Sequence, residues 1–451
     1  MRRFILHDRH TYSSFLSCLD DNSFSKKDLN RKAILGFLRD GILYHNQTFI
    51  EGLRKEFTHQ VFNLDHERGF IDSSESIELE PKKDTSEEPL DAFVSFFKER
   101  REFLKGKKVS IDLTGGVDSR LIASVLSYLK IPFDAVFSLG AGSDEERKIV
   151  KAVSEQLGIK LDIIKVKDIK TTQELGSLFA LSDGLWDIFA IRSLYEVQGW
   201  RKQKGYDLAI TGVGGELYKD FWWQQDFPFY KSRKNRLARL LNVRFNRVSI
   251  QGQRLDEDMR SIVEPEERNI FDKMSELETS MNTKTYDQIY LHLKIKEQIS
   301  VLSHAANSII PTYSPLLESE LLSIGYSLPR STRFFNRFHR QVITKLTPGI
   351  SQVRTTDGGM SVSSSPPFVA RDIFKFVKTK TARVLALLSK RAEKQKPDLP
   401  MLIEERLKKS ISLLKEADIF SKSAPEDYHE ISRILWGRIL TLGFVLEKIR
   451  Q

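Results

Sequence analysis

Between Val109 and Val166 short apolar runs alternate with stretches of helical periodicity, and this alternation constrains the fold more than any other feature. Val109 to Leu113 is a short apolar run, which predicts a strand. Arg120 to Leu129 then carries Leu121, Ile122, Val125, Leu126 and Leu129 at helical spacing. Ala135 to Leu139 predicts a second strand. Glu145 to Leu157 predicts a second helix, with Ile149, Val150, Val153 and Leu157 on one face and Gly158 to stop it. Leu161 to Val166 and Leu208 to Thr211 add two more strands. Strands separated by helices must run parallel, because each connection is a crossover rather than a hairpin. Such a sheet is covered on both faces.

Composition bounds the rest. The chain has 451 residues, of which 40% are hydrophobic, enough for two or three domains with their own cores. No apolar run approaches the roughly 20 residues that span a bilayer. Met1 to Asp8 is basic but lacks the apolar stretch of a signal peptide. A single cysteine, Cys18, rules out an internal disulfide framework, a multi-cysteine zinc site and an all-cysteine iron–sulfur cluster, and predicts a cytoplasmic protein. The net charge of +10, from 71 Lys+Arg against 61 Asp+Glu, permits anionic partners without choosing among them.

Before the alternating stretch, Met1 to Phe70 reads as a short helix, a turn and a strand pair, too small for a large core alone. Asp72 to Pro89 is acidic and polar, and reads as a linker. After it, Ile262 to Thr347 and Val369 to Ile449 read mainly as helix. Two basic segments stand out, Lys231 to Arg247 and Arg371 to Lys396. A solvated helix face is the plain reading of both. Contact with an anionic or membrane surface, peripherally, is the sharper one.

The most informative residues are Thr114-Gly115-Gly116-Val117-Asp118-Ser119, directly after a predicted strand and before a predicted helix. Ligands of parallel sheets bind at the carboxyl ends of strands, and a helix N-terminus there offers N–H donors and a positive dipole end to phosphate. Two glycines let the backbone approach an anion, and Thr114 and Ser119 add hydroxyls. Asp118 would repel a phosphate unless a cation lay between them, which Mg2+ would resolve. The Gly-Lys-Ser/Thr ending of a Walker loop is missing. The plain alternative is a turn with Asp118 or Ser119 as helix cap.

This loop resembles the Ser/Thr-Gly-Gly-x-Asp-Ser pyrophosphate loop of ATP pyrophosphatases that adenylate their substrates. Within that group the chain is similar to the synthetase domain of the asparagine synthetase family. Further matches are Phe137-Ser138-Leu139-Gly140, Ser143-Asp144-Glu145-Glu146 with Leu157-Gly158, Thr211-Gly212-Val213-Gly214-Gly215-Glu216-Leu217, and Pro311 to Glu318 followed by Leu328-Pro329. They run in order over about Asp91 to Arg354. The resemblance implies an α/β fold, a doubly wound parallel sheet of the adenine-nucleotide alpha-hydrolase-like kind, with a large C-terminal helical region and a small truncated N-terminal α+β segment. It divides the chain into a vestigial glutaminase-like segment (1–70), the acidic linker (71–90), the ATP-binding synthetase domain (91–360) and a basic helical region (361–451).

The resemblance also implies an ATP-dependent, AMP-forming carbon–nitrogen ligase. ATP and pyrophosphate would lie on Leu113, Thr114, Gly115, Gly116, Asp118, Ser119, Leu139, Thr211 and Gly212. Mg2+ would lie on Asp118 and Glu216. Asp183, in a Ser-Asp-Gly turn, is a candidate substrate contact or simply a turn former. The partners implied are a small-molecule, sugar-acid or peptide carboxylate, and ammonia or a substrate amine as nucleophile.

Three positions depart from the family pattern. Arg2 stands where the glutaminase has its cysteine nucleophile, and Cys18 lies in an apolar stretch, so no glutamine hydrolysis is expected. Leu217 replaces an acid. Thr356 stands where the family has a lysine, leaving Arg354 and Lys345 as the nearest catalytic cations in sequence. The alternatives to a ligase are a non-catalytic nucleotide-binding relative and a tRNA-modifying ATP pyrophosphatase. The second is disfavoured by the single cysteine and by the lack of an aromatic-plus-basic platform for nucleic acid.

Overall fold

A computed structural model of the chain describes residues 3–7, 10–44, 46–57, 60–65, 70–76, 88–139, 144–219, 248, 255–262, 283–356, 362–388, 400–424 and 431–450. The N-terminal segment consists of β1 (Arg3–His7), β2 (His10–Tyr12), α1 (Phe15–Asp21), α2 (Arg31–Asp40), β3 (Arg54–Phe57), β4 (Gln60–Asp65) and β5 (Phe70–Ser76). Gly41 ends α2 in the left-handed conformation, φ +71°, with its N–H on the Phe37 carbonyl. The strands form one antiparallel sheet in the order β3-β1-β2-β5-β4. This exceeds the expected strand pair. β1 pairs with a distant strand, β3, and β5 is a Phe-Ile-Asp-Ser-Ser-Glu-Ser run with too little apolar character to be read as a strand. The acidic stretch taken for a linker therefore begins inside β5 and ends at Pro89, where a helix starts; residues 77–87 lie outside the described residues.

The alternating stretch folds as its pattern predicts. It comprises α3 (Pro89–Glu99), β6 (Val109–Asp112), α4 (Asp118–Tyr128), β7 (Asp134–Leu139), α5 (Asp144–Leu157), β8 (Leu161–Lys165), α6 (Thr172–Leu181), α7 (Arg192–Gln203) and β9 (Leu208–Ile210). Asp144, Glu145 and Glu146 sit in the first turn of α5, where acids suit the helix dipole, and Gly158 follows its end at φ +64°. Further along, α8 (Thr283–Ile289) runs through a π-helical stretch, Tyr290–Ile299, into α9 (Ser300–Ile309). A short strand, β10 (Thr312–Tyr313), then joins the sheet from a stretch read mainly as helix.

The second sheet is parallel throughout, in the order β10-β9-β6-β7-β8. From β6 the chain moves outward to β7 and β8, then returns to the other side of β6 for β9 and β10. Ligands of open α/β sheets bind outside the carboxyl ends of strands at such a reversal. Val109, Ser110 and Ile111 of the central strand are all buried, as both faces of a covered sheet require.

The C-terminal elements are α10 (Ser319–Ser327), α11 (Arg337–Leu346), α12 (Pro366–Leu388), α13 (Met401–Glu416) and α14 (Arg433–Arg450). Two cores result. One surrounds the parallel sheet and joins Leu121, Ile122 and Val125 of α4 to Val342 and Ile343 of α11. The other joins Ile5, Phe37 and Phe49 near the start of the chain to Ile188, Leu414, Trp436 and Ile439. The stretches that composition separates at residues 70 and 361 thus share a core, which is how so short an N-terminal segment buries its apolar side chains. On α12, Phe374 and Val377 are exposed beside Arg371, Lys375 and Lys378. The other basic segment, Lys231 to Arg247, and residues 389–396 lie outside the described residues. Among the described residues, no helix is long and apolar enough to cross a membrane.

Candidate functional site

Two glycine turns meet at the reversal point. The first, 113–117, links β6 to α4; the second, 211–215, follows β9. Their approach is so close that side chains are excluded. A Cβ on Gly212 would lie 2.8 Å from the Ser119 backbone nitrogen, and one on Gly215 would lie 2.3 Å from the Asp118 carboxyl group. Within the first turn, Ser119 Oγ accepts the Thr114 N–H at 3.0 Å and shares a second 3.0 Å bond with Thr114 Oγ1, which in turn accepts the Gly116 N–H at 3.3 Å. The Gly115 N–H donates to Glu146 Oε1 of α5 at 3.0 Å. In the second turn, Thr211 donates its N–H to the Tyr313 carbonyl and bonds Ser314 through its hydroxyl at 3.1 Å, which ties β9 to β10.

Asp118 is the hub. Its Oδ2 accepts a 2.6 Å bond from Lys219 Nζ, and its Oδ1 lies 2.8 Å from His339 Nε2. Burial opposes ionisation of Asp118, but Lys219 and His339 outweigh it and hold the carboxyl well below the usual carboxylate range. An ionised carboxylate only accepts, so His339 Nε2 carries the proton of that bond. His339 belongs to α11 and is fully buried, with the Tyr218 ring edge-on to it. Glu216 accepts a 2.6 Å bond from the buried hydroxyl of Tyr290, the first residue of the π-helical stretch. Burial first, then the charges of Glu216 and Asp118, push the Tyr290 hydroxyl well above its ordinary pKa. Of the two carboxylates expected to act together, Glu216 bonds this tyrosine, while Asp118 bonds Lys219 and His339.

The remaining expected site residues divide. Leu113 is buried and donates its N–H to the Val136 carbonyl, so it serves the sheet. Leu139 ends β7, partly buried. Thr356 does lie against the first turn: its N–H donates to the Gly115 carbonyl, and its methyl group is 2.5 Å from where a Gly115 Cβ would stand. Buried Arg120 of α4 fixes this segment by donating to the Val353 and Arg354 carbonyls, each at 2.9 Å. The Arg354 side chain turns outward to Glu145 at 3.3 Å, and Lys345 lies 3.7 Å from Asp91; both cations are mostly exposed. Neither is brought to the glycine turns. Asp183 is not a substrate contact: its two oxygens accept the Phe15 and Leu16 N–H groups at 2.8 and 3.0 Å, capping α1. Cys18, on that helix, is buried, and burial with nearby Asp21 and Asp183 pushes its thiol up to about 12.

The donor set does not fit a metal held by Asp118 and Glu216. Asp118 already meets a buried ammonium, and His339 and Tyr290 donate to the two carboxylates, so a metal there would compete with Lys219 for Asp118. Among the described residues, no group of three or more His, Cys, Asp and Glu is placed to hold a metal ion.

A separate cavity of about 710 Å³ is lined by Trp186, Asp187, Phe189, Arg192, Trp436 and Arg438 among others, and by no residue of the two glycine turns. Ser193, beside Arg192, bonds Ser138 near the end of β7 at 2.8 Å. Asp187 Oδ1 accepts the Phe189 and Ala190 N–H groups, and burial raises the pKa of its carboxyl.

Lys219, His339 and Tyr290 were missed by the sequence reading, which quoted Glu146 within the Ser143 to Glu146 match but gave it no role. Only His339 carried a signal, as a polar residue on the apolar face of a strongly amphipathic helix. The others are placed by contacts between distant segments. Fold and site together define an α/β protein with two glycine turns meeting at the switch point of a parallel sheet. Compared with protein-family models and with curated proteins, the sequence matches none.

Proposed function

We propose that the protein is an ATP-dependent, AMP-forming ligase that makes amide bonds, with an adenine-nucleotide alpha-hydrolase-like sheet. In this reading the carboxylate of a substrate attacks the α-phosphorus of ATP, giving an acyl-adenylate and pyrophosphate. A nitrogen nucleophile, ammonia or a substrate amine, then displaces AMP. The observation that carries it is the convergence of the two glycine turns at the β6 reversal, with Gly212 and Gly215 too close to Ser119 and Asp118 to bear side chains. The N–H groups of Thr114, Gly115 and Gly116 are already taken by Ser119, Glu146 and Thr114, so what the turn offers a phosphate chain is the first turn of α4 at the carboxyl edge of the sheet. The 710 Å³ cavity falls within the usual size of small-molecule sites. Nothing at Cys18 supports glutamine hydrolysis, since its thiol is buried and held protonated.

The test is the fate of ATP in the presence of a panel of carboxylates. Carboxylate-dependent exchange of pyrophosphate into ATP, with AMP as product, is the expected result. Release of ADP contradicts the reading. A second reading, nucleotide binding without turnover, draws on Thr356 at the first turn and on the Glu146 carboxylate already on the Gly115 N–H. ATP binding without AMP release across the panel selects it.

A further inference from the structure

We propose that Lys219 is the cation serving the first glycine turn, in the place that the resemblance gives to a metal ion on Asp118 and to a lysine at position 356. The proposal rests on the reading of that turn as a nucleotide phosphate site. Lys219 follows directly on the Gly215–Tyr218 turn, whose Gly215 is pressed against the Asp118 carboxyl group, so the backbone delivers the ammonium to Asp118. The bond is 2.6 Å, and the lysine side chain is only 9% exposed. A dication on Asp118 would have to strip this buried ammonium of its carboxylate, which is costly.

Arg354 pairs with Glu145 and Lys345 with Asp91, both in exposed positions, and Thr356 brings a neutral hydroxyl and a methyl group to Gly115. Glu146, on the Gly115 N–H, adds negative charge to the turn and so raises the need for a cation there. An ammonium has three donors, of which the bond to Asp118 takes one. Asp118 is thus a positioning residue, itself held from the far side by His339. Lys219 is the group that meets the anion.

Inorganic pyrophosphate is titrated into the full chain by calorimetry, first with EDTA and then with excess Mg2+. The expected result is binding in EDTA. Lys219→Met should weaken it about ten- to a hundredfold, the range for one hydrogen bond to a charged group. Lys219→Arg should stay close to wild type. The double variant Lys219→Met with Thr356→Lys should recover part of the affinity, because it returns an ammonium to Gly115; recovery also shows that the loss was one of charge and not of fold. Binding that requires Mg2+ and is unchanged in Lys219→Met overturns the assignment while leaving the nucleotide reading intact. A double variant that melts like wild type yet recovers nothing also overturns it. Failure of wild type to bind either pyrophosphate or ATP in both conditions overturns the nucleotide reading, and the assignment with it.

Discussion

Asp118 shows how much one side chain carries at this site. It is buried enough to resist ionisation, yet Lys219 and His339 hold it charged. A carboxyl whose pKa is depressed by folding contributes stability that is fully present above its unfolded pKa, about 3.9. That stability is lost as pH falls below this value. Asp118→Asn removes the titration, so the stability of the variant should fall less steeply than that of wild type between about pH 5 and pH 2. Urea melts across that range measure it, and parallel profiles for the two proteins contradict the assignment. Asp118 was legible as a candidate from its place after two glycines. Its partners were not, because Lys219 and His339 arrive from a turn and a helix far along the chain. Asp183 shows the opposite failure: a Ser-Asp-Gly turn reads the same whether its carboxylate faces a substrate or caps a helix.

At the scale of elements, β6, β7, β8 and β9 and the helices α4 and α5 were readable because each carries its own periodicity, a buried run for strands and 3.6 for helices, whereas α6 and α7 were not read. The two-residue β10 and the polar β5 have no such signature; their pairing partners define them. The same holds for the approach to α11, which delivers His339. Arg333 is buried and donates two 2.6 Å bonds to buried Asp287 of α8, and the chain then turns through Phe335 and Asn336 at φ +49° and +60° into the helix. Removing one partner of a buried pair leaves the other charge without it, at about 3–5 kcal/mol. Asp287→Ala should therefore lower the unfolding free energy by about that amount and weaken pyrophosphate binding through the displaced helix. A loss below about 1 kcal/mol would place this pair among weak surface bridges instead.

For the whole molecule, the shared core makes the first and last stretches one folding unit. Trp436 of α14 is 1% exposed, in the same cluster as Phe37 and Phe49. Trp436→Ala should cost about 3–5 kcal/mol. It should also raise amide hydrogen exchange in α2, more than three hundred positions earlier in the sequence. Unchanged exchange in α2 would mean that the two ends are stabilised separately. The larger claim is that the parallel sheet serves one place, the β6 reversal, where two glycine turns hold the phosphates of ATP. Calorimetric titration of ATP into wild type and Gly212→Val tests it most directly, with thermal melts to confirm that both are folded. A side chain at position 212 strikes the Ser119 backbone and must push the turns apart. The predicted result is measurable ATP affinity in wild type and a loss of about tenfold or more in Gly212→Val, about 1.4 kcal/mol at least. Equal affinities in two folded proteins would contradict the account, because ATP would then be bound somewhere other than where the two turns meet.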